Sequence, residues 1–212
     1  MGFGDKHIDI FISHIRHECR RYRMRFVLST DKCLLIDENE VGGYFSENPL
    51  TIAISTGDLA VADWIGTLVH EFSHFEQWRD HDPSYVTTYK RTTADKIVEL
   101  WMHGKDYDDK TIDDCLNQQK LCELNCERRT VKNLIKFNIP IDIDLYTQNA
   151  NAYIHYYNYM KLTRRWTTPN KNFPTDIPEI LKSMPKHLNM NYKTMTKKMM
   201  ALYDKHLGYM DA

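Results

Sequence analysis

The sequence predicts an α+β fold in which helices predominate. Short β-leaning runs are confined to residues 25–58, and apolar residues recur at helical spacing through most of the remaining chain. The order helix, small sheet, helix and then many helices is that of an α+β protein. At 212 residues, the chain is long enough for one large core. Residues 1–169 are expected to form the main domain, with 170–212 as a helical extension packed on it or part of the same domain.

The first part of the chain predicts one helix and three strands. Apolar residues from Ile8 to Tyr22 recur every three or four positions, which predicts a helix over about residues 5–25. "RFVLST", "KCLLIDE" and "PLTIAISTGD" are strand candidates, and "VGGYF" marks a turn. "LTIAIS", residues 50–55, is expected to be an edge strand that could bind an extended peptide by strand addition.

Helical spacing resumes at Leu59 and continues to about Arg79, before Pro83. Thr56 or Asp58 is available as the N-cap. Further helices are expected over about residues 84–103, 110–137, 144–166, 177–184 and 191–207.

The composition excludes some classes of partner. A net charge of -1 gives no general attraction to nucleic acid or to an acidic membrane surface. No apolar run approaches the ~18 residues that a membrane-spanning helix needs. Five cysteines, an odd number without regular spacing, favour a reducing compartment such as the cytoplasm. The oligomeric state is left open.

The stretch "LVHEFSHFEQW" contains His70, Glu71 and His74 in the order H-E-x-x-H. Residues four apart on a helix project from one face, so both imidazoles can bind one Zn²⁺. Glu71 is placed to take a proton from zinc-activated water. Asp63 lies on the same face as His70 and could support a ligand. The apolar stripe of this helix lies nearly opposite the histidines: Val61, Trp64, Ile65, Leu68, Phe72 and Phe75.

Without a third ligand, His70, Glu71 and His74 would be interpreted as part of a solvated polar face of the helix. Asp80 stands ten positions after His70, where the metzincin pattern places its last ligand, but Gln77 replaces the glycine of that pattern. His81 is close in sequence, but it is expected to lie past the helix end.

Glu123 is the stronger third-ligand candidate. It falls within the apolar stripe of the helix over 110–137, and Glu127 follows one turn later. Two carboxylates on a buried face are costly unless they meet cations or a metal. We expect Glu123 to bind zinc and Glu127 to hydrogen-bond a ligand histidine, or the two roles to be exchanged. The structural alternative is that Arg128, Arg129 or Lys120 pairs with them.

Other side chains could complete such a site. Tyr153 or Tyr157, or else His155, could donate a hydrogen bond to the oxyanion that forms during hydrolysis. The two tyrosines share a helix face with Tyr146. This position is also consistent with a place in the core or in the wall of a cleft. Three cysteines could bind a second zinc ion, but buried thiols are the expected interpretation: Cys115, Cys122 and Cys126.

H-E-x-x-H followed on a later helix by E-x-x-x-D/E resembles the gluzincin branch of the zincin metallopeptidases. More narrowly, "LVHEFSHFEQW", "CELNCERR" and "NANAYIHYY" resemble small metallopeptidases encoded by bacteriophages and bacteria. The resemblance covers roughly residues 30–166. It implies a zincin-like domain, zinc held by His70, His74 and Glu123, Glu71 as general base, and the cytoplasm of a bacterial host. Glu127 stands where the best-known gluzincins have aspartate, and the spacer before Glu123 is longer.

The predicted function is zinc-dependent hydrolysis of a protein or peptide substrate. Two other classes stay open. One is a metal-stabilised protein that binds a partner without catalysis. The other is a metal-free helical interaction protein in which Glu123 and Glu127 meet Arg or Lys.

Overall fold

The computed structural model describes residues 4–36, 39–57, 59–166 and 173–207. This part of the chain is predominantly helical with a small mixed sheet, which confirms the predicted α+β class. The α-helices are α1 Lys6–Tyr22, α2 Val61–Arg79, α3 Pro83–Val86, α4 Ala94–Met102, α5 Asp109–Lys136, α6 Ile143–Thr163, α7 Pro178–Ser183 and α8 Lys197–Leu207. The strands are β1 Arg25–Ser29, β2 Leu34–Ile36, β3 Asn39–Val41, β4 Gly43–Glu47 and β5 Leu50–Ser55. None of the described helices is both long and apolar enough to cross a membrane.

The chain divides into two compact units. The first comprises Met1–Asp80 and Arg128–Asp142, and the second comprises His81–Glu127 and Ile143–Ala212. Helix α5 therefore contributes residues to both units.

The sheet of the first unit has the strand order β1-β5-β4. Strand β1 pairs in parallel with β5, with Val27 opposite Ala53, and β4 pairs antiparallel, with Tyr44 opposite Ala53. The expectation that "LTIAIS" is an edge strand is therefore wrong, because β5 is paired on both sides. Its apolar run Ile52–Ile54 is buried, as is typical of a strand covered on both faces.

Strand β4 arises from "VGGYF", which the sequence predicts only as a turn. A Cβ atom on Gly43 would lie 2.5 Å from Ile54 Cδ1 and 2.9 Å from Thr67 Cγ2. Glycine at this position therefore lets β4 approach both β5 and α2 closely. This close approach belongs to Gly43 alone, because a Cβ atom on Gly42 would meet no atom within 4 Å.

Helix α2 packs its predicted stripe inward. Trp64, Ile65, Leu68, Phe72 and Phe75 are buried. The Phe72 ring meets Phe11 of α1 edge to face, with ring centroids 5.5 Å apart.

The start of α2 differs from the prediction. The Thr56 hydroxyl donates to the Ser29 carbonyl 2.7 Å away and does not cap the helix. The helix begins at Val61 with Ala60 at the N-cap position, and the Asp63 carboxylate accepts from the Ala60 N–H at 3.1 Å. Asp58, the other predicted cap, lies outside the described residues.

The described residues of the second unit form helices joined by loops, with no strand among them. Apolar side chains of α4, α5 and α6 form one core cluster, which includes Val98, Leu116 and Met160. The predicted helix over 84–103 is interrupted by a π-helical turn, Thr87–Arg91, and by Thr93 in the left-handed region at φ 49°. The predicted helix over 191–207 begins only at Lys197.

The described tail packs onto α6. Ile177, Ile180 and Leu207 share a core cluster with Tyr156 and Tyr159, and the Tyr203 hydroxyl donates to the Ala152 carbonyl at 2.8 Å. Residues 173–207 therefore belong to the same compact unit as α6.

Candidate metal centre

His70 and His74 lie one turn apart on α2, and their ring centroids are 4.7 Å apart with the planes nearly perpendicular. Both side chains are half-buried, whereas the residues of the apolar stripe, except the half-buried Val61, are buried. The pair therefore belongs neither to the packed core nor to a fully solvated face. Two imidazoles at this spacing can reach a single ion.

Gln77 orients His74. His74 Nδ1 lies 2.8 Å from Gln77 Oε1, and Gln77 is fully buried. With the amide oxygen as acceptor, Nδ1 carries the imidazole proton and Nε2 carries the lone pair. This is the tautomer that a metal-binding histidine needs, and such an outer hydrogen bond usually supports it. The sequence reasoning missed this role, although the three-residue spacing from His74 on a helix signals the contact.

Glu71 is half-buried and follows His70 directly on α2. The helical rotation of about 100° per residue places it on the flank of the histidine face. A carboxylate there can exchange protons with water near the imidazoles.

The nearby alternatives for a third ligand are engaged elsewhere. Asp80 is exposed, and its oxygens accept hydrogen bonds from Arg79 Nε at 2.8 Å and from Arg129 Nη1 at 2.7 Å. These guanidinium groups, that of Arg79 first, lower the pKa of Asp80. His81 is exposed just past the end of α2, at φ 52°. Asp63, a predicted supporting group, caps the start of the helix.

The two carboxylates predicted on the buried face of α5 are buried: Glu123 is 6 % exposed and Glu127 is 4 % exposed. The Tyr146 hydroxyl donates to Glu127 Oε2 at 2.7 Å. Lys120, one of the cations considered as a partner, instead donates to Asn158 Oδ1 at 2.6 Å. Arg129, another, binds Asp80.

The charge of Glu123 acts on two tyrosines of the second unit, Tyr89 and Tyr157. Burial first, and then the Glu123 charge, raise the pKa of Tyr89 well above its usual value. Burial, Tyr153 and Glu123 act in the same direction on Tyr157, whose hydroxyl oxygen lies 3.5 Å from that of Tyr153. Tyr157 and Tyr89 therefore stay protonated and can donate hydrogen bonds. Sequence reasoning missed Tyr89, because it lies in the unpredicted π-helical turn Thr87–Arg91.

His155 lies in the core. It is fully buried, its ring packs on Tyr192 with centroids 5.3 Å apart, and its Nδ1 lies 3.3 Å from Asn158 Nδ2. Burial, with the Lys120 charge as a second cause, lowers the pKa of His155 to about 4. The imidazole is therefore neutral at physiological pH, and its contacts are those of a packed structural residue.

The three cysteines of α5 are buried free thiols: Cys115, Cys122 and Cys126. Burial raises the pKa of Cys115. Cys126 lies between Glu123 and Glu127 in sequence, so α5 carries three ligand-type side chains within five residues, all of them buried.

No family model matches this chain, and no curated protein or solved structure matches it.

Proposed function

We propose that this protein is a zinc-dependent peptide hydrolase in which His70 and His74 of α2 hold the metal and α5 supplies the third ligand. The observation that carries the proposal is the orientation of the histidine pair. The rings lie 4.7 Å apart on one helix face. The hydrogen bond between His74 and Gln77 selects the tautomer that suits a metal ligand.

Glu123 is the proposed third ligand. Zinc accepts two imidazoles and a carboxylate, and this donor set leaves a position for water. Glu123 is buried on α5, and binding to a divalent ion offsets the cost of burying a carboxylate. Glu127, with one oxygen bound by Tyr146, is proposed to hydrogen-bond a ligand histidine. Cys126 is the alternative third ligand, because a thiolate with two imidazoles is also a zinc donor set.

The chemistry would divide between the metal and the chain. Zinc, when bound, supplies Lewis-acid activation of water and of the substrate carbonyl. Glu71 takes a proton from the attacking water and passes it to the leaving amine. The protonated hydroxyl of Tyr157 or Tyr153 donates a hydrogen bond to the carbonyl oxygen as negative charge develops there.

Strand β4 is the proposed substrate-binding edge in place of "LTIAIS". It pairs with β5 on one side, and we find no second pairing strand for it among the described residues. It also lies next to α2, since Trp78 Nε1 donates to Glu47 Oε2 at 3.1 Å. An extended peptide added to β4 would gain main-chain hydrogen bonds with little sequence preference.

Peptide cleavage by zinc-loaded wild type and Glu71→Gln tests the enzymatic part of the proposal. We expect a mixed peptide library to be cut by wild type, and the rate to fall at least ~10²-fold in Glu71→Gln with zinc retained. Equal cleavage by both proteins would reject Glu71 as the base. Bound zinc without cleavage by wild type would favour a metal-stabilised binding protein.

X-ray absorption at the zinc edge identifies the third ligand. Nitrogen and oxygen ligands give distances near ~2.0–2.2 Å, and a thiolate gives about 2.3 Å. We expect no sulfur shell in wild type, and a changed spectrum in Glu123→Gln but not in Cys126→Ser. A sulfur shell that is present in wild type and disappears in Cys126→Ser would show that Cys126, and not Glu123, is the third ligand.

A further inference from the structure

A cavity of about 570 Å³ lies in the second unit, between α5 and segment 190–193. This volume is within the range of small-molecule sites. Its lining combines one buried cation, apolar side chains and amides, and includes Asn117, Lys120, Leu121, Leu124, Met190 and Tyr192.

Lys120 is the buried cation in the cavity wall. It is 5 % exposed, and its Nζ lies 2.6 Å from Asn158 Oδ1 and 3.4 Å from the Lys193 carbonyl oxygen. An ammonium group has three donors, and these two contacts use two of them. Both acceptors are neutral, so neither compensates the charge.

The surrounding charges leave the ammonium group without a carboxylate contact among the described residues. Asp113 is the carboxylate whose charge acts on the pKa of Lys120. It forms an ion pair with Lys161, with Oδ1 2.6 Å from Nζ. Burial lowers the pKa of Lys120 to about 8. A buried ammonium with only neutral partners is costly, and an anion in the cavity would offset that cost.

The apolar side of the cavity indicates what else such an anion carries. Leu121 is 51 % exposed on α5, although it is a large apolar side chain, and Leu124 lies one turn away. A ligand with an aliphatic or aromatic part would cover this surface. Asp114, also in the lining, disfavours ligands of high negative charge.

We propose that this cavity binds a small organic monoanion, whose carboxylate accepts a hydrogen bond from Lys120 Nζ and whose apolar part packs on Leu121 and Leu124. The site is independent of the proposed zinc site, because none of its residues is a proposed metal ligand.

Methyl NMR with hexanoate as probe tests the proposal. Met190 lines the cavity, so its ¹³C-methyl resonance, assigned with Met190→Leu, reports binding there. We expect hexanoate to shift this resonance saturably and to bind at least about tenfold more tightly than hexanamide or hexylamine, since only the acid pairs with the ammonium. Lys120→Met should weaken hexanoate binding at least about tenfold, and Lys110→Met, an exposed control on α5, should leave it unchanged.

Three results would overturn the proposal. One is a hexanamide affinity equal to that of hexanoate in wild type, a comparison that needs no variant. Another is unchanged hexanoate affinity in folded Lys120→Met. The third is an unmoved Met190 resonance at millimolar hexanoate.

Discussion

His74 is held by a buried amide, and this contact connects the packing of α2 to the chemistry proposed for it. Because Gln77 is fully buried, its side chain has little freedom, and the 2.8 Å contact between His74 Nδ1 and Gln77 Oε1 holds the ring in place. With the amide oxygen as acceptor, the same contact sets the tautomer. The same core that buries Phe72 and Phe75 thereby sets the direction of a proposed ligand.

Gln77→Ala should weaken zinc binding about 10–100-fold, because His74, the proposed ligand, loses its orienting hydrogen bond. Gln77→Glu keeps an acceptor for Nδ1 and should retain most of the affinity. Competition with a chromophoric chelator measures both. Equal affinities of wild type and Gln77→Ala would show that the contact has no part in metal binding.

The lowered pKa of Lys120 should make the free energy of unfolding depend on pH. Its pKa is about 8 in the folded chain, against a usual 10.5, so the unfolded chain binds more protons between these values. Stability should therefore rise with pH through this window. From pH 7.5 to 9.5, the free energy of unfolding of wild type should gain roughly 1–2 kcal/mol relative to Lys120→Met.

Urea unfolding at several pH values measures this difference. The charged groups that act on Lys120, Asp113 and Lys161, are present in both proteins, so their own titration largely cancels in the comparison. A difference that stays constant with pH would show that the amine titrates normally. His155, whose pKa Lys120 also lowers, titrates well below this window.

At the scale of elements, helices could be predicted and strand pairing could not. The apolar spacing of α1, α2, α5 and α6 predicted their extents to within a few residues, because each buries one face. The order β1-β5-β4 depends on non-local pairing and on the close approach at Gly43, which no local pattern encodes. The π-helical turn Thr87–Arg91 and the late start of α8 similarly lack a local signal.

Gly43→Ala should destabilise the first unit by about 1–3 kcal/mol, because the new methyl group would overlap Ile54 Cδ1 and crowd Thr67. Gly42→Ala is the matched control, since no atom lies within 4 Å of its added Cβ. Urea unfolding of both variants provides the comparison. Equal stabilities would contradict the packing of β4 against β5 and α2.

At the scale of the whole molecule, the sequence predicted candidate residues for the site. It did not predict the contacts that these residues make. Helical spacing predicted the burial of Glu123 and Glu127 and the shared face of His70 and His74. The contacts of Gln77 and Tyr146, and the effect of the Glu123 charge on the pKa of Tyr89, depend on tertiary packing, so only the structure supplies them.

Zinc removal should lower the melting temperature of the protein. The proposed ligands come from α2 and α5, about fifty residues apart in sequence, and an ion that binds only the folded chain stabilises it by mass action. At a free zinc concentration of 1,000 Kd, this effect is about 4 kcal/mol. A chelator should therefore lower the melting temperature of wild type and leave that of His70→Ala nearly unchanged. Equal decreases in the melting temperature of both proteins would show that the stabilising metal does not bind at His70.

The zinc content of untagged protein tests the central claim most directly. Wild type and His17→Ala, a control at an exposed histidine of α1, should each hold about one equivalent of zinc, and His70→Ala and His74→Ala should hold much less. Less than about half an equivalent in wild type, unchanged by His70→Ala, would contradict the account.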